Sequence, residues 1–223
     1  MESVGILCSF IILFFIVIIS IINNPSFIKK LKGNELRLIP ILMFIFSIGG
    51  TTYGMLEETV GFYALLAATM VLAGMDTIVS SAIVLLGAGS GVLGSTINPF
   101  AVGVAVSSLP EGMEVNQGLI IMIGVILWLT TLLISIAFVR SYAKKVIAKK
   151  AVLENYTDFT NVPEDKKIML SKISVVIDEY IEEYHLDAIS LRCWNEMETI
   201  LRVCPCVLIS ELNDRGIVCS CEI

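Results

Sequence analysis

Charge is scarce in this 223-residue sequence: Asp, Glu, Lys and Arg make up 16% of it, against 56% hydrophobic residues. That balance excludes an ordinary soluble globular composition and calls for a lipid-facing segment. Histidine is almost missing. The single His185 is better explained as a helix-end residue than as a metal ligand. Cysteine is almost missing from the first two-thirds, where only Cys8 occurs. The other five, Cys193, Cys204, Cys206, Cys219 and Cys221, follow a Lys-rich stretch expected to be cytoplasmic, so reduced thiols are expected rather than an exported disulfide framework. The opening apolar run, Val4 to Ile22, has no basic stretch before it and no small-residue cleavage site after it. It is also longer than a signal peptide's apolar core, and it reads as a membrane helix.

The little charge there is divides unevenly. Residues 1–150 carry nine Lys/Arg and seven Asp/Glu, whereas residues 151–223 carry six and fourteen. The net charge of −6 therefore sums a membrane part at +2 and an acidic tail at −8. Two basic clusters, Lys29, Lys30, Lys32 and Arg37, then Arg140, Lys144, Lys145, Lys149 and Lys150, should both be cytoplasmic. The loop Pro110 to Gln117, with Glu111 and Glu114 and no Lys or Arg, belongs on the other side, as does the amino terminus.

An even number of crossings must separate the clusters, yet the apolar run from Leu38 meets Gly49 and Gly50 after about eleven residues, or roughly 16 Å, about half of a hydrocarbon core. The spacing predicts a re-entrant hairpin: one arm Leu38 to Ile48, a tip Gly49-Gly50-Thr51-Thr52-Tyr53-Gly54, and a return arm ending near Gly74. Such a tip is tolerated at membrane depth only beside protein or a wet cavity. From Asp76 to Leu109, Gly87, Gly89, Gly91 and Gly94 and then Ser95-Thr96-Ile97-Asn98-Pro99 predict a helix, an unwound middle and a half-helix beginning near Pro99. A helix amino terminus aimed into a cavity attracts anions through free N–H groups, and broken helices of this kind carry binding sites in secondary transporters.

Glu57 and Glu58 follow the expected tip. Buried in the membrane, the pair would mark an ion or substrate path; in an external loop it would merely be solvated. The glycines of residues 87–94 are equally compatible with close helix packing, although packing alone does not require Ser95, Thr96 and Asn98 beside them.

Gly49 to Glu58 (GGTTYGMLEE), Gly87 to Phe100 (GAGSGVLGSTINPF) and Arg140 to Val146 (RSYAKKV) resemble the signature stretches of the YfcC-like carriers, grouped with the C4-dicarboxylate anaerobic carriers in the ion transporter superfamily. The resemblance covers residues 22–150. It implies a multi-pass inner-membrane transporter of two inverted repeats, each with a re-entrant hairpin and a broken helix. The sequence resembles only the first repeat, with shortened opening helices. By the same resemblance Thr51, Thr52, Ser95, Thr96 and Asn98 line a substrate or coupling-ion site; the reading of the residues adds Glu57 and Glu58 to it and takes Gly49, Gly50, Gly54, Gly89, Gly91, Gly94 and Pro99 as the structural breaks.

The tail is of a different kind. Ile173, Val176, Ile177, Tyr180, Ile181 and Tyr184 recur at helical spacing among acidic residues, predicting an amphipathic helix from Lys172. A short helix around Trp194 to Leu201, a buried strand at Cys206 to Ile209, a turn or helix near Asn213 to Gly216 and a closing strand Ile217 to Ile223 make it α/β. Cys204-Pro-Cys206 and Cys219-Ser-Cys221 have one-residue spacings that suit core cysteines better than a zinc site. Leu186 to Glu198 and Cys204 to Glu222 resemble an internal piece of L-fucose isomerase-like proteins. The resemblance implies a metal-ligand position at Glu222, but one carboxylate cannot hold a catalytic metal.

The expected fold is thus an all-α membrane protein, one half of an inverted-repeat carrier (residues 1–150), then a linker (151–171) and a small soluble α/β fragment (172–223). The expected function is partial secondary transport of small carboxylates or amino acids, coupled to protons or sodium. A non-functional fusion with a sugar isomerase fragment and a ketol isomerase fragment are the competing readings. No cofactor, no enzyme activity and no nucleic acid partner are expected. The partners are the lipid bilayer, the solute and the coupling ion, with the tail cytoplasmic and self-association left open.

Overall fold

The structure, a computed structural model, describes Ser20, Asn24, residues 34–110 and residues 115–222. The expected first helix Val4 to Ile22, Cys8 in it, the lysines at 29, 30 and 32, and Glu111 and Glu114 lie outside the described residues. The described chain divides into two compact units, one ending at Ser141 and one running from Tyr142 to Ile223.

In the first unit a 3-10 turn, Glu35–Arg37, leads into helix α1, Leu38–Tyr53. Pro40 sits in the first turn, where a missing N–H breaks no intrahelical bond. The helix does not stop at Gly49 and Gly50. It runs on to Gly54, whose left-handed backbone (φ 72°) ends it, with the Gly54 N–H donating to the Gly50 carbonyl at 2.9 Å. The expected half-span is therefore corrected to a continuous helix that, with its preceding turn, has 19 residues. At about 1.5 Å per residue this is roughly 28 Å, close to a full hydrocarbon core.

The reversal at residues 54–56 and a 3-10 turn, Glu57–Thr59, feed α2, Val60–Leu72, and α3, Thr77–Leu93, follows. Gly87, Gly89 and Gly91, expected in an unwound middle, are all helical, and the chain breaks only at Gly94. It restarts as a π-helical turn, Pro99–Gly103, that runs into α4, Val104–Ser107.

Helices α1 and α3 pack closely along their length, and the glycines account for how. A Cβ built on Gly91 would lie 2.8 Å from the Thr51 nitrogen and 2.9 Å from the Gly50 Cα, and one on Gly87 would lie 3.0 Å from the Met43 carbonyl oxygen. Backbone meets backbone there, the small-residue packing used where apolar side chains gain nothing over lipid. Met43, Phe46, Ile83 and Ala88 are buried around this crossing.

Helix α5, Gln117–Tyr156, is 40 residues long, and in its first unit it leaves Leu119, Met122, Ile126, Leu133, Ile134 and Phe138 exposed. Such an exposed apolar band fits a lipid surface. Among the described residues, α1 with its preceding turn and α5 are the two helices long and apolar enough to cross a membrane.

In the second unit the expected linker 151–171 is helical at both ends. Helix α5 continues to Tyr156, and α6, Glu164–Tyr184, starts well before Lys172. His185 ends α6 in the left-handed conformation (φ 51°). Strand β1, Ala188–Arg192, was not anticipated. A π-helical segment, Cys193–Leu201, then α7, Cys206–Asp214, and strand β2, Val218–Glu222, follow. Residues 206–209, expected as a strand, open α7 instead. Their short apolar run turns one face inward, with Leu208 and Leu212 buried one helical turn apart. β1 and β2 pair in parallel from Ala188↔Val218 to Arg192↔Glu222, and the core gathers Leu153, Phe159, Leu170, Ile177, Leu208 and Leu212.

That register also departs from the expectation of reduced thiols, at Cys193 and Cys221 only; Cys204, Cys206 and Cys219 are free. Cys193 lies just past β1, on the same side as Leu191, which faces Cys221, and the two cysteines form a disulfide with Cα atoms 6.5 Å apart. Cys204 and Cys206, expected in the core, are exposed, while Cys219 is buried.

Charges are also buried in this unit. The Lys149 ammonium contacts Asp178 at 2.7 Å and Glu211 at 3.2 Å, and Arg215 contacts Asp178 at 2.5 Å and Glu211 at 3.1 Å.

Candidate functional site

The site is built where the end of α1 meets the break after α3. The Thr96 N–H donates to both the Thr51 carbonyl and the Thr51 Oγ1, each at 3.2 Å, and the two threonine Oγ1 atoms are 3.2 Å apart. The unwound segment is thereby tied to the last turn of α1. On either side of Thr96, Ser95 and Asn98 complete the cluster, with the Asn98 Nδ2 donating to the Ser95 Oγ at 3.3 Å. Thr51 and Asn98 are each 2% exposed. Gly54 is required on two counts: its φ is positive, and a Cβ there would lie 2.6 Å from the Asn98 Nδ2.

Asn98 does the work of a helix cap. Its Oδ1 accepts from the N–H groups of Phe100 at 2.9 Å and Ala101 at 3.3 Å, and its carbonyl accepts from Val102 and Gly103. Pro99 has no N–H to offer. The first turn of the half-helix therefore has no free amide for an anion, which corrects the expectation drawn from its dipole. What remains available is oxygen: the hydroxyls of Thr51, Ser95 and Thr96 each keep lone pairs beyond the bonds they make. Oxygens of this kind at an unwound helix suit a small cation or an ammonium group.

The structure brings Thr51, Gly54, Ser95, Thr96 and Asn98 together, with Gly94 and Pro99 bounding the break. Other expected site residues lie elsewhere. The Thr52 hydroxyl donates to the Ile48 carbonyl of its own helix at 2.6 Å. Glu57 and Glu58 are exposed on the turn before α2, not buried side by side. Gly50 and Gly91 are helical packing positions rather than breaks, Gly49 is helical and buried, and Gly89 is helical and faces open space. Glu222 ends β2 in the other unit; its side chain lies outside the described residues. Among the described residues no group of three His, Cys, Asp or Glu side chains could hold a metal ion.

Three residues at or near these elements went unremarked in the sequence. Asp76, 3% exposed at the start of α3, accepts from the Thr77 hydroxyl at 3.3 Å. An acid between two apolar runs was the signal available. Gly124 and Trp128 of α5 close over the break: a Cβ on Gly124 would lie 2.7 Å from the Gly94 carbonyl oxygen, and one on Gly94 would lie 2.6 Å from the Trp128 nitrogen. Gly124, a small residue amid a bulky apolar run, was the trace of that approach.

Two helices long and apolar enough to cross a membrane, and uncharged polar groups buried at a pinned helix break, are consistent with a helical membrane transporter. The chain belongs to the C4-dicarboxylate anaerobic carrier family, whose sequence profile matches residues 17–179. That match runs into α6, past residue 150, where the sequence resemblance had placed its end.

Among curated relatives, an uncharacterised protein of Haemophilus influenzae is 34% identical over 134 residues, 60% of this chain and 25% of that protein. YfcC of Escherichia coli (strain K12), provisionally named a basic amino acid antiporter, is 33% identical over 121 residues, 54% of this chain and 23% of that protein. The chain thus spans about a quarter of the length of these carrier relatives. A sulfoquinovose isomerase of Priestia megaterium is 35% identical over 52 residues, 23% of this chain and 12% of that enzyme, a short likeness that gives the isomerase resemblance weak support. No solved structure matches the chain at a significant level.

Proposed function

We propose that the chain is a membrane-embedded part of a secondary transporter of the inner membrane, moving small carboxylates or amino acids under proton or sodium coupling. In this reading Thr51, Ser95, Thr96 and Asn98 form the part of its site that holds the coupling cation or a solute ammonium group. The observation that carries it is the pinned break. The first-turn amides of the half-helix are consumed by Asn98, while the paired hydroxyls of Thr51 and Thr96 and the Ser95 hydroxyl held by Asn98 line the unwound backbone. The family membership and the likeness to YfcC support carrier chemistry, and the name of YfcC favours a cationic amino acid among the solutes.

The test is uptake of labelled basic amino acids and C4-dicarboxylates into proteoliposomes, with sodium and proton gradients imposed separately. It uses a full-length family member with the same GSTINPF stretch. Replacing the residue matching Asn98 with Ala removes a cap worth about 1 kcal/mol and one wall of the cluster. Uptake should fall at least about tenfold, the equivalent of ~1.4 kcal/mol, with membrane insertion unchanged. Unchanged uptake in that variant and in the Ser95→Ala equivalent refutes the site.

A second reading is favoured by the tail's likeness to a sugar isomerase: residues beyond the carrier match descend from such an enzyme and were joined to a carrier segment. We assign the joined piece no isomerase activity. Sequencing the junction in independent isolates tests the joining itself, and an unbroken reading frame in several would count against an artefact.

A further inference from the structure

We propose that Cys204 and Cys206 form a reversible dithiol–disulfide pair, a thiol redox site on the surface of the tail that takes low-molecular-weight disulfides as its oxidant. Both side chains are exposed, and their sulfurs are 3.3 Å apart. Their proximity is fixed by the fold. Pro205 between them is buried, and its carbonyl accepts from the Leu208 and Ile209 N–H groups at 2.8 and 3.0 Å, which anchors the pair on the first turn of α7. Leu208 and Leu212 hold that helix in the core. The one-residue spacing that argued against zinc leaves two thiols, too few to enclose a metal but enough to close on each other.

The reaction balances as two thiol–disulfide exchanges. The Cys204 thiolate attacks one sulfur of the small disulfide, whose S–S bond breaks as the mixed disulfide forms and one small thiolate leaves. The Cys206 thiolate then attacks the Cys204 sulfur, forming the Cys204–Cys206 bond and expelling the second small thiolate. The two protein thiols are oxidised, the small disulfide is reduced to two thiols, and the protons of Cys204 and Cys206 pass through solvent to the leaving thiolates. The hydrogen bond with Cys204, and then partial burial, hold the Cys206 thiol above the usual cysteine range. Ring closure should therefore quicken as pH rises, because the thiolate is the nucleophile.

Trypsin sorts the cysteines. Cleavage after Arg192, Arg202 and Arg215 puts Cys193 on one peptide, Cys204 and Cys206 together on Val203–Arg215, and Cys219 and Cys221 on a third. The purified full chain is equilibrated in glutathione buffers of increasing oxidised fraction, quenched by alkylation at low pH, digested and weighed. The expected result is a Val203–Arg215 peptide that loses two hydrogens and carries neither glutathione nor alkyl groups, and that reverts on reduction. In Cys206→Ser the same peptide should carry one glutathione. A wild-type peptide that accumulates glutathione without closing, or one cross-linked to any other cysteine peptide, that of Cys8 included, overturns the proposal.

Discussion

The two units of this chain differ in the polar groups they gather in their interiors. In the unit before Tyr142 the buried polar side chains around the break are uncharged, and the helices that hold them touch through glycine backbone. In the unit from Tyr142 onward the core is made of large apolar side chains, and the buried polar groups include, beside Ser171 and Ser174, a lysine and a glutamate with charged neighbours. Lipid and water favour these two patterns respectively. Where lipid replaces water, apolar side chains gain little by leaving it, so close backbone approach and hydrogen bonds supply the specificity. In water, burial of apolar area drives folding, and a buried charge survives only when paired.

The contrast can be broken most severely at the helix crossing. Gly91→Leu would force side-chain atoms into the Thr51 and Gly50 backbone and should cost about 3 kcal/mol or more, whereas Gly89→Leu, with open space around it, should be tolerated. The fraction of protein eluting as a single species from detergent size exclusion reports both variants. Similar losses for the two would mean that the helices do not meet as described.

In the second unit, Lys149→Met removes the buried cation between Asp178 and Glu211, leaving the two acids to share Arg215, and should destabilise by about 3 kcal/mol. One Glu211 oxygen already lacks a partner, so adding Glu211→Leu should restore most of the loss, because Asp178 keeps Arg215. Hydrogen exchange over α6 and α7 measures this, and a double variant no better than the single would contradict the ion-cluster account. A smaller effect is expected at the edge of the site. Gly54→Ala must adopt a left-handed backbone against Asn98, at about 1–2 kcal/mol, and should speed exchange of the Gly54 and Met55 amides that close α1.

The sequence disclosed these features in proportion to how local their causes are. The break at Gly94 to Pro99 was legible because capping is a matter of adjacent residues: an Asn before a Pro announces a helix start wherever it occurs. Gly49 and Gly50 were misleading because a glycine pair in an apolar run reads equally as a breaker and as a packing surface. Only the partner on α3, forty residues away, decides between them. Residues 206–209 were ambiguous for a related reason, since four apolar residues fit one face of a helix as readily as a strand. β1 carries few β-branched residues and exists because β2 pairs with it. The Cys193–Cys221 bridge depends on that register and was therefore out of reach. Of the candidate site, Thr51, Ser95, Thr96 and Asn98 were named through the family resemblance, with the polar residues beside the glycines as the local signal. The capture of the half-helix amides by Asn98 could not be read that way, and it moves the expected ligand from an anion toward a cation.

The most direct test is the depth and wetness of the break in a bilayer. A single spin label at position 95, in the full chain reconstituted into vesicles, would be compared by power saturation with labels at Asn116 and Ile134. The account predicts a label well below the headgroups, as deep as a lipid-facing position on α5, yet relaxed by a water-soluble nickel chelate. A label at position 95 that matches a surface-loop position in depth, or lies deep but is reached by oxygen alone, would contradict a hydrated pocket at the helix break.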